Sequence, residues 1–151
     1  MHFEFFEVFA DPYIKTETGM GVFEAGVVLG MLSLGQAGKG GSIDHAPMFK
    51  QINFGRIKKR DIMRHLARVP ELTRAYHLEY AGMIESLAAH AGDLLMKGKE
   101  RELGVDGNFA FSVAFLNAKK YFWTIFKSEK KNEETSENEI KSENETEKEE
   151  N

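Results

Sequence analysis

One long apolar stretch constrains this 151-residue chain more than any other feature of its sequence. Residues 19–34 contain one charged side chain, Glu24, and place large apolar residues on nearly every side of a helical projection. A helix that is apolar all round has to be surrounded by other elements, so the pattern predicts a buried central helix over residues 20–36. The stretch is shorter than the ~20 apolar residues that a membrane-spanning helix needs, and we expect no membrane partner.

Two glycines lie in the middle of this predicted helix. Gly26 and Gly30 each cost about 1 kcal/mol of helix propensity relative to alanine. Their spacing of four residues places them on the same side of a helix. We therefore predict a flat strip on which a neighbouring helix packs closely.

Apolar residues recur at helical spacing in four further segments, 2–9, 58–69, 70–95 and 108–126. Pro70 either ends the segment over 58–69 or begins the segment over 70–95, and Asp106-Gly107 predicts a turn before the segment over 108–126. The last segment also alternates like a strand between Phe109 and Phe115, but its length favours a helix. The sequence thus predicts an all-α fold, a bundle of about five helices over residues 1–128.

The C-terminal segment has a different composition. Residues 129–151 contain ten Glu and four Lys, a net charge of −6, and a single apolar residue, Ile140. Because the whole chain carries −4, residues 1–128 carry +2. A segment this polar cannot bury enough apolar surface to fold, so we predict a disordered acidic tail.

The cations of the predicted bundle concentrate in residues 56–74, where seven Arg or Lys face only Asp61 and Glu71, a local charge of +5. Such a concentration is typical of a polyanion-binding site, although a solvated helix face can show the same pattern. With one lysine from a glycine-rich loop, the candidate nucleic-acid-binding residues are Lys39, Arg56, Lys58, Lys59, Arg60, Arg64, Arg68 and Arg74.

The helix predicted over 58–69 separates three arginines from its apolar side chains, at about 100° per residue. Its apolar side is formed by Ile62, Met63, Leu66 and Val69. Its opposite side is formed by Arg60, Arg64 and Arg68. The three arginines span about 12 Å at a rise of about 1.5 Å per residue, a reach that suits two or so phosphates of an extended strand.

The glycine-rich loop over residues 38–42 superficially resembles a phosphate-binding loop. A Walker A motif requires glycine where Ser33 stands and serine or threonine where Gly40 stands, and the loop follows a helix instead of a strand. We therefore predict that Lys39 contacts a phosphate backbone without nucleotide hydrolysis.

The sequence nominates no catalytic or metal centre. Cysteine is absent, which excludes thiolate chemistry and fits a reducing, cytoplasmic location. The histidines lack the spacing of a metal site and are expected to be surface or packing residues; they are His2, His45, His65, His77 and His90. We expect a non-enzymatic protein without a cofactor. The sequence does not exclude a catalytic pair of carboxylates that come together only in the fold.

A family resemblance emerges from residues 21–36, GVFEAGVVLGMLSLGQ, with the pattern Phe23, Gly26, Gly30 and Gln36. The glycine-rich loop, the basic segment FGRIKKRDIMRHL and a Phe-rich closing helix follow. Over about residues 1–127 this arrangement resembles the C-terminal helical region of the large subunit of type I-B CRISPR Cascade complexes. In that family the same region is also made separately as the small subunit, which is what we expect here.

The resemblance implies a five-helix bundle, present in several copies beside the guide RNA and target duplex. It implies binding of single-stranded DNA, the displaced non-target strand, and contacts with other Cascade subunits and further copies of the chain. Opening a duplex against a guide is nearly balanced in free energy, so modest contacts to the displaced strand can stabilise the R-loop. Phosphate binding by Arg and Lys suffices for that role.

Two other functions remain open. The first is a helical protein-interaction or structural module whose basic face pairs with an acidic partner, and salt-dependent retention on DNA would separate it from a DNA-binding subunit. The second is a small helical hydrolase in which Lys39 and the arginines hold a phosphorylated substrate; turnover that is lost on mutation of a carboxylate would identify it.

Deleting residues 129–151 is expected to leave the melting temperature nearly unchanged, because no core is lost with the tail. Thermal unfolding followed by circular dichroism measures this. A large fall in melting temperature would mean that the tail packs against the bundle and that the boundary at residue 128 is misplaced.

Overall fold

The computed structural model describes residues 1–126, which form an all-α fold as predicted. Seven α-helices lie in this range: α1 (Glu17–Ala37), α2 (Pro47–Gln51), α3 (Lys59–Ala67), α4 (Val69–Ala75), α5 (Ala81–Lys97), α6 (Gly104–Leu116) and α7 (118–126). Short 3₁₀ helices cover Glu4–Val8, Pro12–Lys15 and Ile43–His45. Within the described range no strand forms, and Lys58 and Glu102 make one isolated bridge. The predicted tail lies outside the described residues.

The predicted central helix is confirmed as α1, which packs against both α5 and α6. It begins one turn earlier than predicted because the Thr16 hydroxyl caps it, accepting a hydrogen bond from the Gly19 N–H at 3.0 Å. The extra turn makes α1 long and apolar enough to cross a membrane by length and composition, contrary to the sequence-based expectation. However, 78% of its most apolar window is buried inside the protein, as in the core helix of a bundle.

The glycine strip of α1 is confirmed. A Cβ on Gly26 would lie 2.7 Å from the Phe111 carbonyl oxygen of α6. A Cβ on Gly30 would lie 2.5 Å from both the Phe115 carbonyl oxygen and the Ala118 Cβ. These distances leave no room for a side chain, so α6 and the start of α7 rest directly on the backbone of α1.

The helix predicted over 70–95 is wrong in one respect, because residues 76–80 separate α4 from α5. His77 and Tyr80 adopt left-handed backbone angles, with φ of 51° and 61°. Between them, the Leu78 side chain packs over Gly35 of α1, its Cδ2 atom 2.3 Å from where a Cβ of Gly35 would stand. The apolar residues keep their helical spacing through residues 76–80, so the break cannot be recognised from the sequence. Pro70 lies in the first turn of α4 and therefore begins a helix.

The helix predicted over 108–126 is likewise two helices. Asn117 leaves the helical conformation, and its side-chain amide donates a hydrogen bond to the Val113 carbonyl at 2.9 Å. The turn predicted at Asp106-Gly107 is wrong, because both residues lie inside α6. A Cβ at Gly107 would lie 2.4 Å from the Leu103 Cβ, so glycine serves close packing there and not a turn.

The N-terminal segment folds onto the bundle as a 3₁₀ helix, Glu4–Val8, shorter than the helix predicted over 2–9. The Phe6 ring is buried and meets the Phe23 ring of α1 edge to face at 5.4 Å. The His2 N–H donates a hydrogen bond to the Ile125 carbonyl at 3.1 Å, which ties this segment to α7.

Gly30→Ala is expected to lower the free energy of unfolding by about 1–3 kcal/mol, because the added methyl overlaps the α6 backbone. Gly92→Ala, inside α5, is the matched control, because nothing lies within 4 Å of the position of its Cβ. That substitution should raise the free energy of unfolding by up to ~1 kcal/mol through helix propensity. Urea unfolding measures both, and equal effects would contradict the close approach of α1 and α6.

Candidate nucleic-acid interface

α3 presents the predicted arginines to solvent. Ile62 and Leu66 are buried in the core, whereas Arg60 and Arg64 are exposed and Arg68 is half-buried. The two faces differ because α3 packs its apolar side against α1 and α5. We call the three residues Arg60, Arg64 and Arg68 the arginine stripe.

The arginine stripe continues toward α4. Arg68 ends α3 with helical backbone angles, φ −89° and ψ −6°, and α4 begins at the next residue. Arg74 lies in the last turn of α4 and is exposed. The structure therefore carries exposed cations along both helices.

Lys59 is directed away from the stripe. Its Nζ donates a hydrogen bond to the Gly98 carbonyl at 2.7 Å, just past the end of α5. A helical projection explains this placement, because Lys59 falls on the same side of α3 as Leu66. Lys58 is exposed but pairs through its backbone with Glu102. Of these two candidates, Lys59 is thus engaged within the fold.

Arg56 and Arg64 are brought together at a small cleft of about 70 Å³ between the end of α2 and α3. Asp61 lines the same cleft and accepts a hydrogen bond from Arg64 Nη2 at 3.2 Å. His65 also lines it, and burial together with the neighbouring Arg64 lowers the pKa of His65, so its imidazole is neutral at neutral pH. An exposed ion pair of this kind contributes only ~0–1 kcal/mol, so a phosphate can compete for Arg64.

Lys39 does not lie with the stripe. It lines a separate groove of about 530 Å³, bounded by the end of α1, residues 76–80 and α7. We call this the aromatic groove, after the rings that line it beside Lys39 and Lys119; they belong to Tyr76, Tyr80 and Trp123. These residues cannot be recognised as a site from the sequence, because the break at 76–80 brings them together only in the fold.

A buried acid and histidine form a second feature that the sequence did not indicate. Glu24 Oε1 lies 2.5 Å from His90 Nδ1, and the Phe3 ring stacks on the imidazole at 4.3 Å. Burial raises the pKa of Glu24 to about 9 and lowers the pKa of His90, so both are neutral at neutral pH. The Glu24 hydroxyl then donates to Nδ1. Glu24 Oε2 is buried without a hydrogen-bond partner.

The pH dependence of stability should report this pair. The pKa of Glu24 rises from 4.5 in the unfolded chain to about 9 in the fold, so its stabilising contribution is complete below pH 4.5 and is lost as pH rises through 9. Glu24→Gln keeps a donor to His90 and removes this loss. Between pH 7 and 8.5 wild type should therefore lose roughly 2 kcal/mol of stability relative to the variant, at about 1.4 kcal/mol per pH unit.

Urea unfolding at several pH values in this range tests the prediction. Glu71→Gln, at an exposed site of α4, is the control and should follow the wild-type profile. Parallel profiles for wild type and Glu24→Gln would show that Glu24 is not protonated in the fold.

Comparisons with known proteins place the chain in a family. A family model described as the C-terminal domain of the CRISPR-associated protein TM1802 matches residues 2–139. No curated protein and no solved structure matches the chain. Within residues 1–126, no group of three or more His, Asp or Glu side chains is placed to hold a metal ion.

The match agrees with the resemblance at the level of a CRISPR-associated protein. It extends past residue 128, and the predicted domain boundary there stays a prediction. Because the matched residues make up most of the sequence, the chain belongs to the family of the C-terminal domain of CRISPR-associated protein TM1802.

Proposed function

We propose that this chain is a non-catalytic small subunit of a Cascade complex that binds single-stranded DNA and stabilises the R-loop. The observation that carries the proposal is the arginine stripe, in which Arg60 and Arg64 are exposed and Arg68 is half-buried, on a domain of a CRISPR-associated family. The strand is the displaced non-target strand, and the guide RNA–target duplex lies nearby.

The electrostatics of the stripe support this role. Arg60 and Arg64 are exposed, and their side of α3 faces away from the core. Arginine side chains neutralise phosphates and release condensed counterions, which gives binding without sequence preference. Three phosphate contacts on a single strand correspond to a slope of about −2 in log K against log salt. The acidic neighbours Asp61 and Glu71 keep the affinity moderate.

Moderate affinity is sufficient for R-loop stabilisation. The heteroduplex formed with the guide is about as stable as the DNA duplex it replaces, so a few phosphate contacts to the displaced strand can shift the exchange toward the open R-loop. No bond is made or broken in this role, and we propose that the chain is not an enzyme. The buried Glu24–His90 pair serves the core in this proposal, since Glu24 has no exposed surface.

An exposed apolar stripe on α6 favours a second role in protein contacts. Val105, Phe109 and Leu116 are 86%, 67% and 62% exposed, although all three are large apolar residues. Spacings of four and seven residues place them on one side of α6. We propose that this side contacts other Cascade subunits or a further copy of the chain. A protein-interaction module using its basic face on an acidic partner is the alternative to DNA binding.

Changing Arg60, Arg64 and Arg68 to Glu together is expected to abolish binding of single-stranded DNA at the concentrations that saturate wild type and to leave the melting temperature nearly unchanged. Exposed charges contribute little to stability, whereas reversed charges repel phosphates. Fluorescence anisotropy at low salt and circular dichroism measure the two effects. In a reconstituted complex the variant should also weaken opening of the target duplex.

Two controls separate the site from the fold and from total charge. Leu66→Ala, on the buried side of α3, should cost about 2–5 kcal/mol of stability while the folded fraction keeps its affinity. Lys15→Glu makes the same change of charge as Arg64→Glu at an exposed position in another element, and should weaken binding less. If the triple variant unfolds, or if it binds DNA as wild type does, the stripe is not the site.

A further inference from the structure

We propose that the aromatic groove binds an unpaired nucleobase of the strand whose phosphates lie on the arginine stripe. The base contacts the rings of Tyr76, Tyr80 and Trp123, and Lys39 and Lys119 lie where the flanking phosphates pass. This inference rests on the proposed single-strand binding and adds a second, chemically different site to it.

The dimensions of the groove suit such a ligand. Its volume of about 530 Å³ lies within the range of about 300–1,000 Å³ that is usual for small-molecule sites. Tyr76 and Tyr80 are 41% and 46% exposed, so the fold leaves a large part of both residues uncovered. Their exposed surface gives a base room for contact with the rings.

The backbone holds these rings in place at the expense of local strain. His77 and Tyr80 adopt left-handed angles that non-glycine residues seldom take. Leu78, packed over Gly35 of α1, anchors the segment between them, so Tyr76 and Tyr80 are held at the mouth of the groove. Strained backbone that the surrounding packing maintains is characteristic of ligand sites.

Trp123 completes the wall from the other side. Its ring meets the Tyr80 ring edge to face, with centroids 4.7 Å apart, and the Phe122 ring at 5.2 Å. Because Phe122 is fully buried, Trp123 is supported by the core behind it. The wall is therefore formed before any ligand arrives, which lowers the entropic cost of binding.

The charges around the groove favour a nucleic acid over an uncharged ligand. Lys39 and Lys119 line it against one carboxylate, Glu79. An adjoining groove of about 500 Å³ shares Lys119 and Trp123 and adds Lys120. Aromatic rings combined with cations are the usual means of holding single strands, since every base has a face that can stack and every linkage has a phosphate.

α4 connects the groove to the arginine stripe. Arg68 precedes its first residue, Arg74 lies in its last turn, and Tyr76 ends it. Seven residues at a rise of about 1.5 Å place the two sites roughly 10 Å apart along one rigid helix. A single strand can therefore follow α4 from the stripe to the groove.

The test uses the full-length chain with two fluorescent oligonucleotides, oligo-dT and the same backbone with abasic sites. Loss of stacking on one base weakens binding by roughly 5- to 100-fold, so wild type should prefer oligo-dT by such a factor. Tyr76→Ala should remove this preference, whereas Tyr76→Phe, which keeps the aromatic ring, should retain it. Met96→Ala, which removes an exposed apolar side chain on α5 outside the groove, is the control and should bind both oligonucleotides as wild type does.

Trp123 is the chain's single tryptophan, so its emission reports the groove directly. Saturating oligo-dT should quench it, and the abasic strand should not. In the variant with Arg60, Arg64 and Arg68 changed to Glu, quenching should persist at higher oligo-dT concentrations. This last result separates the two proposals, because it depends on the groove alone.

Each failure has a distinct signature. If the triple variant loses binding but wild type does not distinguish the two oligonucleotides, the base site is overturned and the stripe stands. If oligo-dT quenches Trp123 equally in wild type and the triple variant, the stripe is overturned and the groove stands. If Tyr76→Ala weakens binding of both oligonucleotides equally, the groove binds the sugar-phosphate backbone and not a base. If poly-glutamate displaces oligo-dT from the groove, the groove binds acidic peptides. Either result would overturn the inference.

Discussion

The contact between α1 and α6 is the constraint on which the rest of the structure depends. The backbones approach so closely that a single Cβ on Gly30 would overlap the Phe115 carbonyl, and Ala118 rests on the same glycine. This contact fixes where α6 ends and where α7 crosses α1. α7 carries Lys119 and Trp123, and Lys39 follows the end of α1, so both helices that meet at the glycine strip contribute residues to the aromatic groove.

Side-chain periodicity predicted those parts of the fold in which local pattern and final packing agree. The central helix, its glycine strip and the two faces of α3 follow from the spacing of apolar and charged residues, because a buried face requires the same period in the sequence and in the helix. Arg60 and Arg64 are therefore on the side of α3 that the sequence indicated. The position of the basic candidates on that side could be predicted without knowledge of contacts between distant residues.

The features that the sequence did not predict depend on contacts between distant residues. Leu78 breaks the predicted helix by packing over Gly35, and the Gly98 carbonyl that accepts a hydrogen bond from Lys59 lies 39 residues along the chain. Glu24 was visible as the one charge in an apolar helix, but its partner His90 lies 66 residues away. The aromatic groove was missed for the same reason, since its rings come from two segments that meet only after the break at residues 76–80.

A subunit that holds a displaced strand has to bind any sequence without opening DNA by itself. Phosphate contacts are the same at every nucleotide, and aromatic stacking tolerates every base, so neither the stripe nor the groove selects a sequence. Selection is then left to pairing with the guide, whose exchange with the duplex is nearly balanced. Because the exchange is balanced, binding of the displaced strand with nanomolar affinity would favour open DNA even with a mismatched guide. In the proposed role, the acidic residues Asp61, Glu71 and Glu79 among the cations would keep the affinity low enough for pairing with the guide to decide whether the duplex opens.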